Sequence, residues 1–176
     1  MIRDSSQAQT LIAKRQFECE MNKHNVRVQS CRADNGRFAE KAFKDEVAKS
    51  NQIITYCGVG AHHQNGSIEH YIGKITTRSR VMLLHAKRFW PEAITPMLWP
   101  FAVSTAINLE NELSLDANGR SPLQRLTATD SPIKLRDYHT WGCPVYVLES
   151  SVQSTLKGLP KWEPRARIGI YLGRSP

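Results

Sequence analysis

Between residues 67 and 87 the apolar positions Ile68, Tyr71, Ile72, Ile75, Met82, Leu83 and Ala86 recur at helical spacing, with no proline among them. This predicts a long helix with one buried stripe, and Glu69 falls beside that stripe near its start. The residues before it alternate helix and strand signals. Asp4, Ser5 and Ser6 offer N-caps for a helix over 6–23, closed by His24-Asn25. Residues 26–33 alternate apolar and polar as a strand does, and end at Asp34-Asn35-Gly36, a strong turn signal. Phe38, Ala42, Phe43 and Val47 define one face of a helix over 38–49. Ile53-Ile54-Thr55-Tyr56-Cys57 is a short β-branched strand broken by Gly58-Val59-Gly60, and a loop runs from there to a sharp turn at Asn65-Gly66.

After the long helix, Pro91, Pro96 and Pro100 punctuate the chain. Proline is tolerated in a first helical turn, so a short helix after Trp90 and a longer one over about 97–112 are expected. Residues 116–136 read as a linker, with Gly119, Pro122 and Pro132. The character then changes to two apolar runs, 143–148 and 167–172, separated by a polar Ser/Gly/Pro stretch in which no helix is expected. Two strands alone are marginal, so this end is expected to be cut short or to lean on the first domain. The fold class read from this order is α/β followed by the opening of a small β-domain. The expected division is 1–115, a linker over 116–136, and 137–176.

Charge narrows the function classes. The chain carries a net +8, and residues 1–88 hold 15 Lys/Arg against 8 Asp/Glu, whereas 89–176 hold 9 against 8. Lys74, Arg78, Arg80, Lys87 and Arg88 follow one another on the long helix with no intervening acid. A basic half suits a polyanionic partner, most simply nucleic acid, although a merely basic surface reads the same way. No apolar run approaches the ~18 residues of a membrane span, so no membrane partner is expected. The four cysteines form no CxxC pair, which argues against a zinc module and for a reducing, intracellular compartment, nucleus or cytoplasm.

Asp34 and Glu69 are the candidate chemistry. A strand–helix–strand–loop–helix path can return the start of the long helix to the carboxyl end of the first strand. Two carboxylates brought together there repel unless a cation lies between them. Mg²⁺ suits such a pair, because it takes oxygen ligands and leaves positions for water and phosphate. Two such ions activate an attacking oxygen and stabilise a leaving one. The plainer readings are that Asp34 is a turn residue and that Glu69 favours a helix N-terminus through the helix dipole. His62, His63 and His70 lack a fourth ligand at a usable spacing for zinc. Trp90 and Trp99 fit core or interface positions better than base-stacking platforms.

The strings Arg32-Ala33-Asp34-Asn35-Gly36-Arg37-Phe38 and His63-Gln64-Asn65-Gly66-Ser67-Ile68-Glu69, with 34 residues between the two acids, resemble the integrase catalytic core of copia-type LTR retrotransposons. Trp90-Pro91-Glu92-Ala93, Ser121-Pro122-Leu123, Trp141-Gly142-Cys143-Pro144-Val145-Tyr146 and Gly169-Ile170-Tyr171-Leu172-Gly173 follow in the family's order. The resemblance covers nearly the whole chain. It implies a partial ribonuclease H-like fold followed by the start of an SH3-like β-barrel. It also implies DNA integration by metal-dependent transesterification, Mg²⁺ or Mn²⁺ as cofactor, DNA as partner and a homo-oligomer.

In that family two Asp and one Glu hold the metals. Asp34 matches the second Asp and Glu69 the Glu, both as catalytic and as metal-binding residues. The first Asp is expected on an earlier strand, and Asp4 reads instead as a helix cap. The expectation is therefore a fragment lacking its first strands, inactive alone. Its nucleic-acid-binding set would be Gln64, Asn65, Lys74, Arg78, Arg80, Lys87 and Arg88. Asn65-Gly66 also reads as a simple left-handed turn. His70 stands where the family usually has Arg, and Gly73 interrupts the helix. A non-catalytic nucleic-acid-binding or assembly module derived from a retroelement is the alternative.

Overall fold

Ser6 caps the first helix through its side chain, which accepts the Gln9 N–H at 3.4 Å, and opens α1, Gln7–Lys23. The computed structural model describes residues 6–58, 65–129, 135–150, 162 and 164–174. α1 ends where Asn25 takes a left-handed φ of 58°. The Val26 N–H then reaches the Met21 carbonyl and the Asn25 N–H the Asn22 carbonyl, a Schellman stop. The same device ends α2, Lys41–Lys49: Asn51 has φ 53°, Gln52 bonds back to Val47 and Asn51 to Ala48. Each stop delivers the chain into a strand, β1 (Ser30–Ala33) and β2 (Ile53–Tyr56).

β1 and β2 pair in parallel, Ser30 opposite Ile53 and Ala33 opposite Tyr56. The strand expected over 26–33 is thus four residues long. A strand extends only as far as its ladder does, and β2 offers four partners. The helix expected over 38–49 divides into a 3₁₀ turn, Arg37–Ala39, and α2, because Glu40 between them is extended (φ −66°, ψ 148°). Phe43 and Val47 of α2 are buried with Ala33 and Cys57, and Phe38 meets Phe43 edge-on at 5.2 Å. Arg15 of α1 clasps Glu46 of α2 through two nitrogens, at 2.6 and 2.9 Å.

The long helix is present as α3, Gly66–Phe89. Its buried residues are Ile75, Ser79 and Ala86, with Met82 and Leu83 partly buried. Ile68, Tyr71 and Ile72 are exposed, so the buried stripe covers only its later turns. The buried Ser79 hydroxyl is satisfied by the Ile75 carbonyl at 2.7 Å. No helix follows Trp90; the Ala93 and Ile94 N–H groups turn back onto its carbonyl. A 3₁₀ turn, Pro96–Leu98, leads into α4, Trp99–Leu113, each with a proline in its first turn. The linker expected over 116–136 contains a short helix, α5, Pro122–Thr127. Ser121 and Gln124 form a reciprocal capping box, each side chain accepting the other's backbone N–H.

β3 (Pro144–Leu148) and β4 (Ala166–Ile170) pair antiparallel, Pro144 opposite Ile170. They lean on α3 and α4, as a two-stranded end must. Trp141, Ile94, Ala86 and Ala102 form the core here, with Met82, Leu83, Leu98, Ile170 and Leu172 against it. The Trp141 indole N–H and the Thr105 hydroxyl both donate to the Leu172 carbonyl at 3.2 Å. Gly142 explains its motif: φ is +81° and a Cβ there would lie 2.4 Å from that of Ala86. Gly173 does the same beside Thr105, with φ +116°.

The chain divides into two compact units, residues 1–72 with 125–128 and residues 73–124 with 129–176. The boundary falls inside α3 and does not coincide with the division expected at 115. Among the described residues no helix is long and apolar enough to cross a membrane.

Candidate nucleic-acid and metal site

Asp34 follows the last residue of β1 and is exposed. Its Oδ1 accepts the Gly36 N–H at 3.4 Å, so the turn role expected for Asp-Asn-Gly is realised. The next residue carries a structural duty. The Asn35 side-chain amide donates to the Cys57 carbonyl at 2.9 Å and ties the end of β1 to the chain leaving β2. The buried Cys57 thiol in turn donates to Asn65 Oδ1 at 2.9 Å, just before α3 begins. Asn35, Cys57 and Asn65 thus form a hydrogen-bonded path from the Asp34 turn to the N-terminus of α3. Glu69 stands exposed in the first turn of that helix, one turn beyond Asn65.

Cys57 is more than the small buried hydrophobe that its residue type suggests. Its signal was the position: a thiol at the end of a strand, eight residues before an Asn that opens a helix. Asn65 is correspondingly an anchor whose amide oxygen is occupied. Gly66 is the first residue of α3 and has no positive φ, so entry into the helix does not depend on a left-handed glycine there. Gln64, His62 and His63 lie outside the described residues.

The donors suit a hard divalent cation in kind. Asp34 and Glu69 are exposed carboxylates without a cationic partner among the described residues. They do not suit it in number, because no group of three or more His, Cys, Asp or Glu that could hold a metal ion occurs among the described residues.

The cations of α3 separate into two sets. Lys74 and Arg78 both bind Glu110 of α4, Arg78 at 2.9 Å. Glu110 is 4% exposed. The hydrogen bond from Lys74 outweighs the opposing effect of burial, and with a Ser114 hydrogen bond and both cationic charges it holds the Glu110 carboxyl below the usual carboxylate range. Lys74 and Arg78 are therefore both tied to one internal carboxylate, with their side chains still 40% and 37% exposed. The acid that claims them lies 32 and 36 residues away in sequence, which local charge patterning does not show. Arg80, Lys87 and Arg88 are exposed and have no acidic partner among the described residues.

A second acid of α4, Glu112, accepts hydrogen bonds from Tyr138 and from Arg174, the latter at 2.8 Å. Burial, then the Glu112 hydrogen bond and charge, push the Tyr138 phenol up to about 12. This cluster borders a cavity of about 270 Å³ walled by Met82, Leu109, Trp141 and Tyr171.

No protein-family model matches the chain, and no curated protein sequence does. Among solved structures, a chain of the simian T-cell lymphotropic virus intasome, determined in complex with PP2A regulatory subunit B56 gamma, superposes with a TM-score of 0.56 at 15% identity. The match covers 96% of this chain and 54% of that one, so the protein spans about half the length of its structural neighbour. The HTLV-2 integrase catalytic core domain, in complex with magnesium and in a trimeric form, gives a TM-score of 0.46 at 17% identity, covering 69% of this chain and 70% of that one. The first superposition, at its low identity, speaks to architecture alone: this chain has an integrase-like fold of mixed helices and strands.

Proposed function

We propose that this chain is a retroelement integrase-core polypeptide of the copia type, binding DNA through exposed cations of α3 and inactive in strand joining by itself. The observation that carries the reading is the Asn35–Cys57–Asn65 path. It links the turn bearing Asp34 to the start of the helix bearing Glu69. These are the two positions matching the family's second Asp and its Glu. The family's Mg²⁺ or Mn²⁺ would be held by Asp34 and Glu69 together with a third acid, and no third acid joins them among the described residues. β3 and β4 are read as strands of an SH3-like domain. The exposed Met97, Trp99 and Phe101 near the start of α4 support self-association.

Strand transfer is the direct test. The purified chain, given a viral-end-like duplex and Mg²⁺ or Mn²⁺, is expected to leave it unjoined. Mg²⁺-dependent joining that disappears in Glu69→Gln would refute the inactivity. Binding is tested separately by the salt dependence of affinity, since neutralising phosphate contacts flattens that slope. Arg80→Gln with Lys87→Gln and Arg88→Gln is expected to lower both affinity and slope.

The alternative, a non-catalytic binding or assembly module, is favoured by Arg80, Lys87 and Arg88 having no acidic partner among the described residues. It predicts DNA binding that survives Asp34→Asn with Glu69→Gln.

A further inference from the structure

A cleft of about 210 Å³ opens beside the later turns of α3, within the second compact unit. Leu83 and Leu84 of α3 and Ile94 and Pro96 of the following segment form its apolar walls, and Arg80 and Lys87 flank it. The helix explains the grouping. Positions 80, 84 and 87 fall on one face, and Arg80 and Lys87 stand two turns apart, about 10 Å along the axis. Ile94 is 2% exposed and makes a fixed floor, whereas Leu84 is 57% exposed. Such a leucine between two cations that lack acidic partners among the described residues is poorly explained by folding stability.

The two features together discriminate among polyanions. A duplex offers phosphates to Arg80 and Lys87 but keeps its bases stacked inside, so it leaves the apolar walls uncovered. A single strand offers both, because an unstacked base has an apolar face and stands between two phosphates. We infer that this cleft binds an unpaired nucleotide, with its base against Leu83, Leu84, Ile94 and Pro96 and its flanking phosphates on Arg80 and Lys87. The inference rests on the DNA-binding reading above and narrows it to a single-stranded segment. Lys74 and Arg78 take no part, because Glu110 holds them.

The test uses the full chain and fluorescence anisotropy with three probes at one low salt concentration. These are a short oligothymidylate, a strand of equal length whose residues are all abasic, and a blunt duplex. The oligothymidylate is expected to bind about fivefold more tightly than the abasic strand, the gain from covering roughly 40 Å² of apolar surface with a base face. Leu84→Ala is expected to remove most of that difference while leaving duplex affinity unchanged. Arg80→Gln with Lys87→Gln weakens all three probes. The abasic comparison needs no variant, so a misfolded variant cannot rescue or sink the idea. Equal affinity for oligothymidylate and abasic strand, with duplex still bound, overturns the cleft assignment and leaves DNA binding standing. Failure to bind any probe overturns both. Displacement of the oligothymidylate only by an acidic peptide with an apolar anchor, and not by excess unlabelled nucleotide strand, overturns the assignment in favour of a protein partner.

Discussion

Removing the two cations that hold Glu110 should cost the fold more than removing Glu110 itself. In Lys74→Met with Arg78→Met, a carboxylate whose side chain is 5% exposed keeps its charge and loses both partners. An uncompensated buried charge of this kind costs about 3–5 kcal/mol. In Glu110→Gln the stranded groups are the Lys74 and Arg78 heads, on side chains 40% and 37% exposed. They can turn to water, so the loss reduces to the charge-assisted hydrogen bonds, about 1–3 kcal/mol. The triple variant, with no charge left buried, should fall closer to the wild type than the double variant does. Urea unfolding of the three variants, with m-values compared to confirm a common transition, measures the order.

The pH dependence separates this account from simple packing loss. In the wild type the folded Glu110 carboxyl lies below its ordinary value of 4.5. Its contribution is complete above that value and is lost as pH falls through the lowered folded value. In the double variant only burial and the Ser114 hydrogen bond remain, and burial raises the carboxyl. Protonation then relieves the strain, so the deficit relative to wild type should shrink as pH falls from about 7 toward about 4. Equal losses for the double variant and Glu110→Gln, or a deficit independent of pH over that range, would refute the reasoning.

Two backbone predictions follow from the glycines. Gly73 lies inside α3 with a helical φ and open space where a Cβ would go, so Gly73→Ala should stabilise the chain by about 1 kcal/mol in thermal unfolding. Gly142→Ala should destabilise by about 3 kcal/mol or more, through contact with Ala86 added to a strained φ of +81°. Gly119→Ala is its control: φ is +75° but the space is open, so about 1–2 kcal/mol is expected. Similar losses at both sites would show that the close approach to Ala86 does not limit the packing.

Much of the fold was legible because it is written in local chemistry. Ser6 as a cap, Asn25 beyond α1 and the prolines before α4 mark ends of elements through side-chain reach and permitted φ, which need no distant partner. The Ser121–Gln124 capping box was equally local and was obscured by Gly119 and Pro122 on either side of Ser121. The apolar stripe of α3 was misread for a different reason. Periodicity says which residues share a face, and only packing says how far along the helix a neighbour covers it. Ile68 and Ile72 share the period of Ile75 and remain exposed.

The sequence by itself determined the order of elements, the turn at Asp34 and the helix bearing Glu69, since these depend on spacing and on residues within a few positions of each other. Tertiary structure decided the rest. It joined Asn35 to Cys57 and Cys57 to Asn65, and so linked the two acids' supports. It also divided five consecutive cations of one helix into a pair that shares the Glu110 carboxylate and three with no acidic partner among the described residues. The strength of an ionic interaction falls off with distance in space and not along the chain, so an acid more than thirty residues away engages Lys74 and Arg78 and not Arg80.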